Sequence, residues 1–170
     1  LQADFAYEIF RECHKKGINT CLDTSGSLLS DSVKRLLSET DRVLLDLKYT
    51  SDDSYRNNAG CSLGNVLDFL SYLDTMHIPA TLRYVVIPTV NDSEEEILLL
   101  KKTAQSTSCV DKIELLPFRK ICQAKYDNMG IEFKTDVPVV QKSAPIQILH
   151  DKTTAQQKNR TVLSIDDKWG

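Results

Sequence analysis

The sequence contains no Cys-x-x-Cys pair. Its five cysteines, Cys13, Cys21, Cys61, Cys109 and Cys122, are odd in number and irregularly spaced. That pattern supplies neither a zinc site nor a disulfide framework, and free thiols in a reducing cytoplasm are the expectation. No apolar run approaches the roughly 20 residues that a membrane-spanning helix needs. Asp4, Glu8 and Arg11 interrupt the start, so no signal-peptide pattern opens the chain. There is no basic block, and the net charge of -3 argues against nucleic-acid or anionic-membrane partners. No G-x-S-x-G, P-loop or G-x-G-x-x-G motif occurs. Gly60-Cys-Ser-Leu-Gly64 lacks the strand-then-helix context of a phosphate loop and reads as a turn plus a helix cap. His14, His77 and His150 have no spaced partner. His14 falls at a helix end, where a positive charge favours the dipole, and surface positions are expected for all three.

What is present is an ordinary globular composition of 170 residues, 41% hydrophobic and 26% charged, enough for one domain with a sizeable core. Leu1 to Lys16 reads as a helix, with Phe5, Ile9 and Cys13 recurring every four residues and Gly17 as a stop. Further helices are predicted at Ser32–Ser38 and near Ser62–Met76, the latter with Val66, Phe69, Leu70 and Leu73 on one face. Another follows Ser93, where Glu96 three residues on makes a capping box. Strands are predicted at Asn19–Asp23, Arg42–Lys48, Ala80–Pro88 and Lys112–Pro117. Ser25-Gly26 reads as a turn and Thr50–Gly60 as a polar loop. Helices alternating with strands imply a parallel sheet with right-handed crossovers, an α/β fold. Beyond Val137 the composition turns rich in Gln, Lys, Thr and Ser. The expectation is a barrel part over residues 1–136 and a divergent, weakly structured tail over 137–170, with Val162-Leu-Ser-Ile165 as one short strand.

Charges gather at the strand ends. Asp23 closes one strand, and Asp46 and Lys48 close the next. Residues two apart on a strand share a face, so Asp46 and Lys48 point the same way. By the same rule Arg83, Val85 and Ile87 share one face, while Leu82, Tyr84 and Val86 take the other. An arginine within an apolar strand is costly unless it is paired or faces a polar cavity. The carboxyl ends of parallel strands are where α/β folds place ligand sites, but internal ion pairs occur there too. Position alone leaves those two readings open.

Four segments, in order, carry a resemblance: Thr20-Cys-Leu-Asp-Thr-Ser-Gly26, Leu44-Leu-Asp-Leu-Lys48, Leu82-Arg-Tyr-Val-Val-Ile-Pro88 and Ile113-Glu-Leu-Leu-Pro-Phe118. Together they resemble the glycyl-radical-enzyme activating enzymes, radical S-adenosylmethionine proteins, and the pyruvate formate-lyase activating enzymes most of all. The resemblance runs from Leu1 to about Lys134. It implies a partial (β/α)6 barrel from which the first two strands are missing. In the family a [4Fe–4S] cluster binds S-adenosylmethionine, whose reductive cleavage yields a radical that takes a hydrogen atom from a glycine of a partner glycyl radical enzyme. Pyruvate formate-lyase is the default partner.

By the resemblance, Lys48 pairs with the methionine carboxylate. Asp23, Thr24 and Asp46 hold a cation or polar groups of the ligand, and Arg83 lies near the substrate glycine loop. The family's adenosine-packing histidine is replaced here by Arg119. The family's C-x3-C-x2-C loop and its Gly-Gly-Glu motif are absent, so no metal ligand and no catalytic residue is expected within the chain itself. The expected outcome is a C-terminal part of an activating enzyme, inactive alone and with an exposed sheet edge that invites self-association. The alternatives are a cluster-free relative acting as a binding module, and a cluster-independent lyase or aldolase built on Lys48.

Overall fold

A computed structural model describes residues 2–119 and 123–132, together with the backbone of 162–165. The elements are α1 (Ala3–Lys15), β1 (Cys21–Thr24), α2 (Asp31–Leu37), β2 (Arg42–Asp46), α3 (Asp52–Ala59), α4 (Leu63–Thr75), β3 (Ala80–Val86), α5 (Glu94–Gln105), β4 (Val110–Pro117), α6 (Gln123–Asn128) and β5 (Val162–Ile165). The strands form one sheet in the order β1-β2-β3-β4-β5. Every pairing is parallel, including β4 with β5. The expected tail strand therefore exists, and β1 stands at the sheet edge. Apart from 162–165, the tail expectation lies outside the described residues.

The two faces of the sheet differ sharply. Val43 and Leu45 of β2, Leu82, Tyr84 and Val86 of β3, and Ile113 and Leu115 of β4 are buried. They belong to one cluster with Leu36 of α2, Phe69 and Leu73 of α4, and Leu100 of α5. The opposite face carries Asp23, Arg42, Asp46, Arg83 and Glu114. The register places Asp46 beside Arg83, and Arg83 beside Glu114. The alternation expected in β3 holds, with Arg83 and Val85 partly exposed between fully buried neighbours. The apolar side packs on the helices, and the charged side is the one a closed barrel turns inward.

Helix starts follow local chemistry. Ser30, Ser51, Ser62 and Ser93 each accept a backbone N–H from the first turn of the helix that follows. Gly60 ends α3 at φ +68° and Ser62 caps α4, which fulfils the turn-plus-cap reading of that segment.

The structure corrects four expectations. Residues 50–60 are not a loop, because Asp52–Ala59 is helical. Asp52 and Asp53 sit in its first turn, Arg56 pairs with Asp52 at 2.6 Å, and Tyr55 is its one buried side chain. A single buried residue leaves almost no periodic signal. Ser93 and Glu96 form only half a capping box. Glu96 donates its N–H to Ser93, but its carboxylate accepts from Thr50 and Tyr84. Lys48 lies two residues beyond the end of β2. His14 is not an unpartnered surface group: Nδ1 lies 2.8 Å from Glu39 Oε2 and Nε2 lies 3.0 Å from Asp41 Oδ2.

Candidate functional site

The charged strand-end residues meet. Arg83 donates through Nε to Asp46 Oδ1 at 2.7 Å and through Nη2 to Asp23 Oδ1, and Nη2 also lies 2.7 Å from Asp46 Oδ1 as an ion pair. Lys48 Nζ donates to the other oxygen of Asp46 at 2.8 Å. Two acids and two bases thus alternate across β1, β2 and β3, with no net charge. Burial lowers the pKa of Arg83, but the facing carboxylates of Asp46 and Asp23 outweigh it and hold the pKa above its ordinary value. The Arg83 side chain is 19% exposed, against 41% for Lys48, so the ammonium is the more open cation. Thr24 directs its hydroxyl into the following turn, accepting the Gly26 N–H at 3.2 Å. Arg119 is exposed, two residues past the end of β4.

The backbone around Lys48 is fixed from several sides. Leu47 N–H donates to the Arg83 carbonyl at 2.9 Å, and Lys48 N–H to the Tyr55 hydroxyl at 2.8 Å. Tyr49 stands edge-on to Tyr55, with ring centroids 6.0 Å apart. Burial raises the Tyr55 hydroxyl to about 12, so it stays protonated across the physiological range. A cavity of about 490 Å³ opens at this end of the sheet, with Lys48, Tyr49, Tyr55, Cys61, Val85 and Ile87 among its lining residues. It meets the charged row at Lys48, and its wall is part apolar and part polar.

Sequence reasoning missed Glu114, Tyr55 and Glu96. Glu114 is on the polar face and accepts from Lys112. The period-two rule that singled out Arg83 also puts Lys112 and Glu114 on one face, so that signal was available. Tyr55 lies in a segment that reads as a loop and Glu96 reaches Thr50 from 46 residues away, so neither spacing carried such a signal. Among the described residues, no group of three or more His, Cys, Asp or Glu side chains could hold a metal ion. Nor, among those residues, is any helix long and apolar enough to cross a membrane.

Likenesses to known proteins bear on the family and the fold. The family model of the radical SAM superfamily matches residues 1–100. The pyruvate formate-lyase 1-activating enzyme of Escherichia coli (strain K12) is 38% identical over 138 residues, 80% of this chain and 56% of that protein. The pyruvate formate-lyase-activating enzyme of Clostridium pasteurianum is 32% identical over 143 residues, 84% of this chain and 60% of that one. The chain therefore spans little more than half the length of these relatives. A solved domain of pyruvate-formate lyase-activating enzyme from Bacteroides vulgatus superposes with a TM-score of 0.72 at 18% identity, covering 95% of this chain and 91% of that one. Streptococcus suis SuiB bound to S-adenosylmethionine gives 0.71 at 14% identity, over 94% of this chain and 36% of that one. These two structures speak for the fold alone, a parallel α/β sheet. With the family match over its first 100 residues, the chain belongs to the radical SAM superfamily.

Proposed function

We propose that this chain supplies the ligand-carboxylate side of a glycyl-radical-enzyme activating enzyme. The observation that carries the reading is the neutral row Asp23–Arg83–Asp46–Lys48, with Asp23 and Asp46 at the carboxyl ends of β1 and β2, Lys48 just beyond β2, and Arg83 midway along β3. A neutral row of alternating sign suits a zwitterionic amino-acid headgroup, such as the methionine part of S-adenosylmethionine. Lys48, half-exposed and beside the cavity, pairs with the ligand carboxylate. Asp46 and Asp23, with Thr24, receive the amino group or a cation. Arg83 bridges those two carboxylates and faces the glycine segment of the partner. Arg119 takes the position of the family's adenosine-packing histidine, and no adenosine contact is assigned to it.

S-adenosylmethionine, once bound, supplies one-electron hydrogen-abstraction chemistry. In this reading the complete protein, given one electron from a reduced cluster that the described residues do not hold, would break the ligand's sulfur–C5′ bond to give methionine and a 5′-deoxyadenosyl radical, which would take a hydrogen atom from a backbone glycine of the partner, for which pyruvate formate-lyase is the default by likeness. The described residues do not fit an iron–sulfur cluster, which needs several thiolates together. The complete protein is placed in the cytoplasm.

Calorimetric titration of the complete gene product with S-adenosylmethionine tests the reading. Replacing a charged hydrogen-bond partner costs about 1.5–3 kcal/mol, so Lys48→Ala should weaken binding about 10- to 100-fold. Unchanged affinity sinks the assignment.

The chain on its own is expected to be inactive. Anaerobic reconstitution should leave it without a stoichiometric cluster, and light scattering should find it self-associated through the β1 edge. A loaded cluster or a clean monomer would each count against that expectation. The alternative, a cluster-free binding module, is favoured by Arg119 in place of the family's adenosine-packing histidine. Iron and sulfide analysis of the complete gene product separates the two.

A further inference from the structure

Glu96 occupies the first turn of α5, where an acid ordinarily serves the helix dipole. Its carboxylate instead leaves the helix. One oxygen, Oε2, accepts from the Thr50 hydroxyl and, at 3.2 Å, from the buried Tyr84 hydroxyl. Thr50 lies two residues after Lys48, so Glu96 holds the chain as it departs from the charged row. The segment is then pinned at Leu47 by the Arg83 carbonyl, at Lys48 by Tyr55 and at Thr50 by Glu96. The first two anchors hold backbone N–H groups and fix where Lys48 begins. The third fixes the direction in which the backbone leaves, and with it the station of Tyr49 against Tyr55. Lys48 and Tyr49 are walls of the same cavity.

We infer that Glu96, through Thr50, is a positioning residue that holds Lys48 in its ligand-pairing place. The inference rests on the reading of Lys48 given above. A long, flexible lysine loses little enthalpy when its loop drifts, but it loses pre-organisation, and binding weakens by the cost of restoring it. The single Tyr84 hydroxyl proton has a second acceptor within reach, the Asn91 carbonyl at 3.3 Å. Removing the Glu96 carboxylate therefore leaves Tyr84 satisfied and strips support from Thr50 alone. Gln at this position keeps an oxygen that accepts from both hydroxyls.

The test is calorimetric titration of the complete gene product with S-adenosylmethionine and, separately, with 5′-deoxyadenosine, which has no carboxylate. Loss of one neutral or charge-assisted anchor predicts an affinity for S-adenosylmethionine about 3- to 10-fold weaker in Glu96→Ala and Thr50→Val. The affinity for 5′-deoxyadenosine should be unchanged in both. The double variant should be no weaker than the worse single one, because the two remove the same bond. Glu96→Gln should retain affinity within about 2-fold, since the hydrogen bonds survive. Equal losses for both ligands, additive single effects, or a Glu96→Gln variant as weak as Glu96→Ala would each overturn the inference. Lys48→Ala, run alongside, keeps the two claims apart. If Lys48→Ala weakens binding while Glu96→Ala and Thr50→Val do not, the positioning role alone falls. If Lys48→Ala also binds normally, the reading of Lys48 falls and the positioning role falls with it.

Discussion

At Gly26 the chain turns out of β1 with φ +64°. A Cβ built there would lie 2.7 Å from Leu45 Cδ1 and 3.3 Å from Phe69 Cγ. Leu45 belongs to the helix-facing side of β2 and Phe69 to α4, so the turn is wedged into the core beneath the charged row. Gly60 shares the positive φ, at +68°, but nothing lies within 4 Å of its would-be Cβ. The two positions therefore separate backbone strain from crowding. Gly60→Ala should cost about 1 kcal/mol, the left-handed penalty alone. Gly26→Ala adds overpacking against a filled core and should cost about 2–4 kcal/mol. Urea unfolding of the two variants checks the difference; equal costs would mean that Leu45 and Phe69 yield freely. The sequence marks Ser25-Gly26 as a turn, but not that the turn is buried, because burial at a glycine leaves no side chain to read.

The elements that were legible share one property: their local chemistry agrees with their place in the fold. β2 and β3 are apolar runs because one face of each is buried, and the period-two rule places Arg83 and Asp46 on the other face correctly. α4 shows Val66, Phe69, Leu70 and Leu73 at helical spacing, and all four are buried. α3 failed to show itself for the opposite reason. It is held by a serine cap, an Asp52–Arg56 pair and one tyrosine, so its sequence is as polar as a loop. In α1 the four-residue row of Phe5 and Ile9 is exposed, at 67% and 45%, while Ala3 is buried and Ala6, Tyr7 and Phe10 pack on the core. The row marks a helix without saying which side faces inward. The candidate site was legible where it lies on strands, at Asp23, Asp46 and Arg83. It was not legible in its supports, because Tyr55 and Glu96 reach Lys48 and Thr50 from separate helices. A hydrogen bond between elements 46 residues apart in sequence has no local signature.

The separate pieces are also tied together on the side away from the site, and there the stability of the whole molecule depends on pH. His14 at the end of α1 touches Glu39 and Asp41 in the α2–β2 connection, while Asp41 accepts the Thr20 N–H at 2.7 Å, just ahead of β1. Hydrogen bonds that the ring donates to Asp41 and Glu39 raise the pKa of His14 above its ordinary value, against a smaller effect of desolvation. The backbone N–H of Thr20, followed by His14, holds Asp41 below the usual carboxylate range. The signs differ for the two groups. A raised histidine contributes its full stability below about pH 6.5, the unfolded value, and loses it as pH rises through the folded value. A depressed aspartate contributes above about pH 3.9 and loses it as pH falls through its folded value. The tie is therefore strongest in the mildly acidic interval between those two values and slackens on the way to alkaline pH. The urea midpoint of the native sequence should fall between about pH 6 and pH 8.5 by more than that of His14→Gln, which cannot carry the charge. Because both groups are solvent-accessible, added salt should narrow the gap between the two proteins. Parallel pH profiles for the native protein and the variant would show that His14 is neutral where it stands, a hydrogen-bonding group between two acids and not a charged one.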